Sequence, residues 1–261
     1  MNKGARLPPP AEAGGLRRVS MMKARFLVSS NEDPAEGNIY ADRSALILDW
    51  LLREGVKRRR FSLREVAREI EVSVGLVQRV FGILILQGLL QTEGIRTAKK
   101  FFFKKSKLLL ESWLKHYSIA KKCKMRTYRS GLSEKTELLD ALKKSKLSQK
   151  VALALHSATE AHGCKNTNLN TLELYMLDPA VRSKLEDILQ LEPQERGYEV
   201  LLIEPYYESL LNLGVDSDKG MKTCPVLLTF LDLYHFPLRG QEQAEFMVER
   251  ISELKRIYKS G

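Results

Sequence analysis

The stretch Ser73-Val74-Gly75-Leu76-Val77-Gln78-Arg79 holds side chains whose natural chemistry is hydrogen bonding to the edges of DNA bases. Glutamine offers a paired donor and acceptor that suits adenine, and arginine a two-pronged donor that suits guanine. If the stretch opens a helix whose N-terminal end enters a major groove, then Ser73, Val74, Gly75, Gln78 and Arg79 are the residues within reach of bases. Gly75 permits a close approach. Cations of a different kind lie around it: Arg58, Arg59 and Arg60 in the run that starts at Lys57, then Arg64 and Arg68, and then Arg96, Lys99 and Lys100. Their expected role is to neutralise phosphates, which gives affinity without sequence choice.

Such residues act only if a fold holds them, and the surrounding sequence predicts one. Ala45, Leu46, Leu48, Leu51 and Leu52 approximate a helical stripe that Gly55 stops. Ser62 with Glu65 three residues on has the form of a capping box, which predicts a second helix over Leu63 to about Ile70. Ser73 caps a third, with Val77, Val80, Phe81 and Leu84 on one face and Gly88 at its end. Crossing of the second and third helices needs a small residue at their contact, and Ala67 supplies it. Val66, Ile70, Val72, Val77 and Val80 sit at the surrounding apolar offsets. Glu71 stands in the turn where glycine is common. Two strands at about 89–92 and 99–104 then read as a hairpin. Three helices followed by a hairpin predict a winged helix-turn-helix, with Arg96, Lys99 and Lys100 on the wing.

Residues 107–118 read as a further amphipathic helix, and 121–132 as a basic linker. Beyond it the pattern predicts helices at Glu134–Lys146 and Gln149–Ala161, a strand at Leu172–Leu177, and a helix after Pro179. A strand at Val200–Ile203 and two closing helices follow, one entered by Pro225 and one from Gln241 to about Ile257. The expected fold class is therefore α+β or α/β. A flexible arm (1–40) leads into the winged helix-turn-helix (41–120), the linker (121–132) and a C-terminal α/β domain with a smaller sheet (133–261).

Charge agrees with this division. Residues 1–130 hold 27 Lys and Arg against 12 Asp and Glu, a net +15, whereas 131–261 hold 16 against 20, a net −4. Cations gathered in one half mark a module for a polyanion. A 44% apolar share excludes a disordered chain, and no apolar run has the length of a bilayer span. Pro8-Pro9-Pro10 interrupts the start where a signal peptide would need an apolar core, so a cytoplasmic location is expected. Cys123, Cys164 and Cys224 are too far apart for a disulfide framework or a metal pair. His162 with Cys164 finds no further ligands, so neither metal nor cofactor is expected.

The run Ser73 to Val80, continued by Gly88-Leu89-Leu90 and by Leu109-Leu110-Glu111-Ser112-Trp113, resembles the AbiEi family of antitoxin transcriptional regulators. Further likeness lies at Leu172-Glu173-Leu174-Tyr175, at Pro205, at Phe230-Leu231-Asp232-Leu233, and at Arg239-Gly240-Gln241-Glu242-Gln243-Ala244-Glu245. Asp232, Arg239 and Gly240 thus belong to a C-terminal family motif. The resemblance spans about 45–251 and implies a winged helix joined to an α/β domain. It also implies a repressor that binds its own operator as double-stranded DNA, and an antitoxin opposing a nearby-encoded nucleotidyltransferase-like toxin that it need not touch.

Two rival classes stand beside this one. A nuclease or nucleotidyltransferase with an accessory winged helix would need metal-binding carboxylates with a nearby lysine, or a phosphate loop. The segments at Glu173 and Glu199 carry no such lysine, and no Gly-rich loop is present. An adaptor would use Tyr206, Tyr207, Leu210 and Leu211 as a partner surface.

Overall fold

The computed structural model describes residues 39–95, 99–216 and 221–259. The expected arm over 1–40 lies outside them up to residue 38, as does Arg96. From Ile39 and Tyr40, both buried, the chain enters helix α1 (Asp42–Arg53), whose apolar stripe packs inward. Helices α2 (Leu63–Glu69) and α3 (Val74–Leu86) follow, then strands β1 (Leu90–Glu93) and β2 (Lys100–Phe103), paired antiparallel. The order helix, helix, helix, hairpin is the one that the periodicity predicts. Helix α4 (Ser106–His116) leads out of this half, with Leu109, Leu110, Trp113 and Leu114 buried.

The expected linker is a correction. After a short helix α5 (Ile119–Lys122), residues Lys124–Ser130 form strand β3, which lies inside a seven-stranded sheet. Two of its three cations are matched by carboxylates on the neighbouring strands: Lys124 faces Glu204 at 3.4 Å, and Arg129 pairs with Glu192. Cross-strand pairing lets a polar, basic segment serve as a strand.

Helix α6 (Lys135–Lys144) follows. The helix expected from Gln149 divides into strand β4 (Val151–Leu153) and helix α7 (Leu155–Ala161). Strand β4 is buried throughout between two other strands, and such a strand reads as an unbroken apolar run that periodicity cannot tell from a helix. Then come β5 (Leu172–Met176), α8 (Arg182–Ile188), β6 (Leu191–Pro193), β7 (Val200–Glu204), α9 (Glu208–Leu211), β8 (Val215–Asp216) and β9 (Lys222–Thr223). The sheet order is β6-β3-β7-β5-β4-β9-β8, with β5 parallel to β7 and β4 parallel to β9. The sheet is wider than the small one expected.

Helix α10 (Val226–Tyr234) is entered by Pro225 as predicted. The last expected helix is two, α11 (Gly240–Arg250) and α12 (Ser252–Lys259), because Ile251 is extended. That break turns α12 back onto α4 and α1. There Leu254 and Ile257 are fully buried, and the Ser106 hydroxyl donates to the Ile257 carbonyl at 2.6 Å. One apolar core thus runs from Ile39 through the three-helix half to α10, α11 and α12. A second, made largely by α6, α8 and the far face of the sheet, holds Leu138, Leu142, Leu185 and Val200. The fold is a mixed α+β one.

Candidate nucleic-acid interface

The site rests on the turn between α2 and α3. The Ser62 hydroxyl accepts from the Glu65 amide at 3.3 Å and the Glu65 carboxylate from the Ser62 amide at 2.5 Å, the reciprocal capping box that starts α2. Hydrogen bonding from Ser62, from its side chain first and its amide second, holds the Glu65 carboxyl below its usual range. Val66, Ala67, Val77 and Val80 are buried where the helices cross, with Ile70 and Val72 packed at the margin. Glu71 takes the left-handed conformation, φ +53°, that the turn demands. The sequence departs from glycine there but the backbone does not.

Ser73 then caps α3, its hydroxyl accepting from the Leu76 amide at 3.2 Å. Because Val77, Val80, Phe81 and Leu84 face the core, the opposite side of the helix is left to solvent. Ser73, Val74, Gly75, Gln78 and Arg79 are all exposed on it. A side chain at Gly75 would meet nothing within 4 Å, so no internal packing requires a glycine at this position.

Between α3 and the hairpin lies a cleft of about 590 Å³, with Arg64 at the start of α2, Gln78 on α3, and Lys99, Lys100 and Phe101 on the hairpin side. Arg64 and Arg79 form no ion pair among the described residues. Lys100 lies 3.9 Å from Glu65, and the Lys99 ammonium 5.7 Å over the Phe101 ring. Arg68 is exposed at the end of α2. Arg58, Arg59 and Arg60 are set apart from this cleft. Arg58 makes two bonds to Glu69 (2.7 and 2.8 Å) and lies 5.1 Å over Trp50, whose indole donates to the same carboxylate. It fastens its segment to α1 and α2.

The C-terminal motif residues do structural work. Asp232 is fully buried, and its two oxygens accept from Tyr117 at 2.6 Å and Tyr175 at 2.8 Å. Burial pushes its carboxyl up to about 7 against the opposing pull of those two bonds. It forms no ion pair with Arg239, which stands exposed at the head of α11 and holds Glu242 at 2.6 and 2.9 Å. Gly240 is there for space: a Cβ would fall 2.2 Å from the Leu233 carbonyl oxygen. Tyr117 and Tyr175 escaped the sequence reading, since nothing in their spacing points at Asp232.

Tyr207, Leu210 and Leu211 are buried, and the Tyr207 hydroxyl accepts from Trp113 and donates to the Tyr40 carbonyl, both at 2.9 Å. This removes the partner surface of the adaptor reading. Glu173 is likewise buried, tied to Ser157, Thr171 and Tyr198. Among the described residues no three His, Cys, Asp or Glu side chains gather as metal ligands, and no helix is long and apolar enough to cross a membrane.

No curated protein matches the chain. Among solved structures, a Megavirus polyadenylate synthase aligns over 100% of this chain and 77% of its own at 9% identity. Its TM-score of 0.27 is too low for the likeness to say anything of this chain. The family model described as "Transcriptional regulator, AbiEi antitoxin, Type IV TA system" matches residues 103–253. That match takes in α4, the sheet, the Asp232 motif and all of α11, and with it the chain belongs to the AbiEi family of antitoxin transcriptional regulators of type IV toxin–antitoxin systems.

Proposed function

We propose that this regulator is a sequence-specific DNA-binding autorepressor. In this reading α1 to β2 act as a winged helix-turn-helix over 41–120, and the unit over 133–261 serves as the antitoxin-like domain. The N-terminal end of α3 enters the major groove, where Ser73, Val74, Gly75, Gln78 and Arg79 read bases. Arg64, Arg68, Lys99 and Lys100 neutralise phosphates beside it, and Arg96, which lies outside the described residues, is assigned the same role from the sequence. The observation that supports this reading is the cleft between α3 and the hairpin, whose lining sets the exposed Gln78 among cations from two other elements, Arg64 and Lys99 with Lys100. The partner is the chain's own operator. The antitoxin role opposes a nucleotidyltransferase-like toxin encoded nearby, with no direct contact required.

Titration of the full chain against its own upstream DNA and against random duplex across a salt series tests this. Tighter binding to the upstream duplex with a steep salt dependence is expected. Equal affinity for both, or affinity indifferent to salt, would refute it.

A further inference from the structure

A second groove lies on the same hairpin, on the far side of a single backbone contact. Phe61 and Phe101 exchange backbone hydrogen bonds of 3.2 and 2.9 Å, and this bridge divides the cations into two sets. The cleft at α3 takes the residues from Ser62 onward and the hairpin up to Phe101. The other groove, of about 530 Å³, takes residues 56–60 and the hairpin from Phe102 to Lys104. Five of its eight lining residues are cationic.

We propose that this groove is a second phosphate-binding site, which carries the backbone of the same DNA duplex past the hairpin. The inference rests on the DNA-binding reading above and extends its footprint.

The internal partners of the five cations decide which of them can serve. Arg58 is committed to Glu69, and Lys57 lies 2.7 Å from Glu54. Arg60 reaches Glu93 at 3.4 Å, but both side chains are more than half exposed. Such a pair contributes little in water, so a phosphate can replace that carboxylate at small cost. Arg59 and Lys104 are exposed and form no ion pair among the described residues. The groove therefore offers Arg59, Lys104 and Arg60 to an anion.

Two further observations select the ligand. The Phe102 ring, the aromatic surface here on which a base would stack, already carries the Arg60 guanidinium 5.5 Å from its centroid. That disfavours single-stranded nucleic acid, whose recognition uses free aromatic faces, and favours a backbone that asks only for charge. The spacing also fits. Four residues of extended chain, from Lys100 to Lys104, cover roughly 13 Å, which is the axial rise of about four base pairs. A duplex seated on Lys100 with its axis along this strand presents phosphates near Lys104 about four base pairs further on.

The test uses the full chain and two duplexes: the upstream DNA trimmed to the segment that the wild-type chain protects in a footprint at high salt, and the same segment extended by ten base pairs on either side. The wild type should bind the extended duplex more tightly. Arg59→Ala with Lys104→Ala should abolish that gain, make the salt slope on the extended duplex shallower by about two units, and leave base preference and the short duplex unchanged. Both positions are exposed, and unchanged thermal unfolding would confirm an intact fold. A variant indistinguishable from wild type on the extended duplex would overturn the second groove while leaving α3 as the reader. Equal loss on both duplexes would overturn it as a separate site. Tighter binding of a single-stranded oligonucleotide, lost in the same variant, would overturn the ligand class. Failure of the wild type to bind either duplex would bring down the DNA-binding reading itself.

Discussion

Tyr117 donates its hydroxyl hydrogen to Asp232 across 2.6 Å, joining the end of the helix that leaves the hairpin half to the closing motif of the family. Tyr175 brings the central strand to the same carboxylate from the other side. The group holding three elements together is therefore a titratable one with no access to water.

Stability should fall as pH rises through the acid range. In the unfolded chain Asp232 ionises near the ordinary value of 3.8, whereas in the folded chain burial holds its proton until about pH 7. Below both values the two states are protonated alike. Between them the folded state binds the extra proton, so stability declines by about 1.4 kcal/mol per pH unit from this residue, and above about 7 its slope vanishes. Asp232→Asn, whose amide can still accept from one tyrosine and donate to the other, should flatten that window. Urea midpoints from pH 5 to 8 measure it; a variant keeping the wild-type slope would show that another group sets it.

Base preference and affinity should separate by residue. Arg79→Ala and Gln78→Ala should relax discrimination by roughly 1 to 3 kcal/mol at one base each. Lys99→Ala with Lys100→Ala should weaken binding to every duplex and reduce the salt slope. Competition with single-base operator variants reads the first and a salt series the second. A wing pair that altered base preference would invert the assignment.

Gly240→Ala should destabilise the chain by about 3 kcal/mol. The new methyl lands 2.2 Å from the Leu233 carbonyl oxygen and 2.8 Å from the Phe236 Cβ, and backbone cannot yield as a side-chain tip does. A denaturation midpoint within error of wild type would show that the α10–α11 corner opens freely.

Glu71→Gly should stabilise by about 0.5 to 1 kcal/mol. At φ +53° a side chain costs roughly 1–2 kcal/mol that glycine avoids, and glycine's greater freedom in the unfolded chain returns part of that. Thermal unfolding should rise by a few degrees, with DNA binding preserved if the turn is unchanged. A fall would mean that the Glu71 side chain makes a contribution larger than its backbone strain.

The hairpin half was legible because its signals are local: a capping box, a small residue at a crossing, and stripes of period 3.6 at Val77 and Val80. In the second half they are not. Strand β3 reads as a linker until Glu192 and Glu204 stand beside its cations. Strand β4 reads as helix until the two strands that bury it are in place. At the candidate site the exposed face of α3 follows from its buried one, so Gln78 and Arg79 could be named from spacing. Arg58 could not be separated from Arg59, because its difference lies in Glu69, eleven residues on and in another element.

Ser106 and Ile257, bonded at 2.6 Å, are 151 residues apart. The consequence concerns the order of synthesis: when α1 to β2 have left the ribosome, the apolar seat that α12 will fill is still open to water. The half that carries α3 therefore reaches its finished packing only after residue 257 has emerged and folded back, with every strand of the sheet made before it.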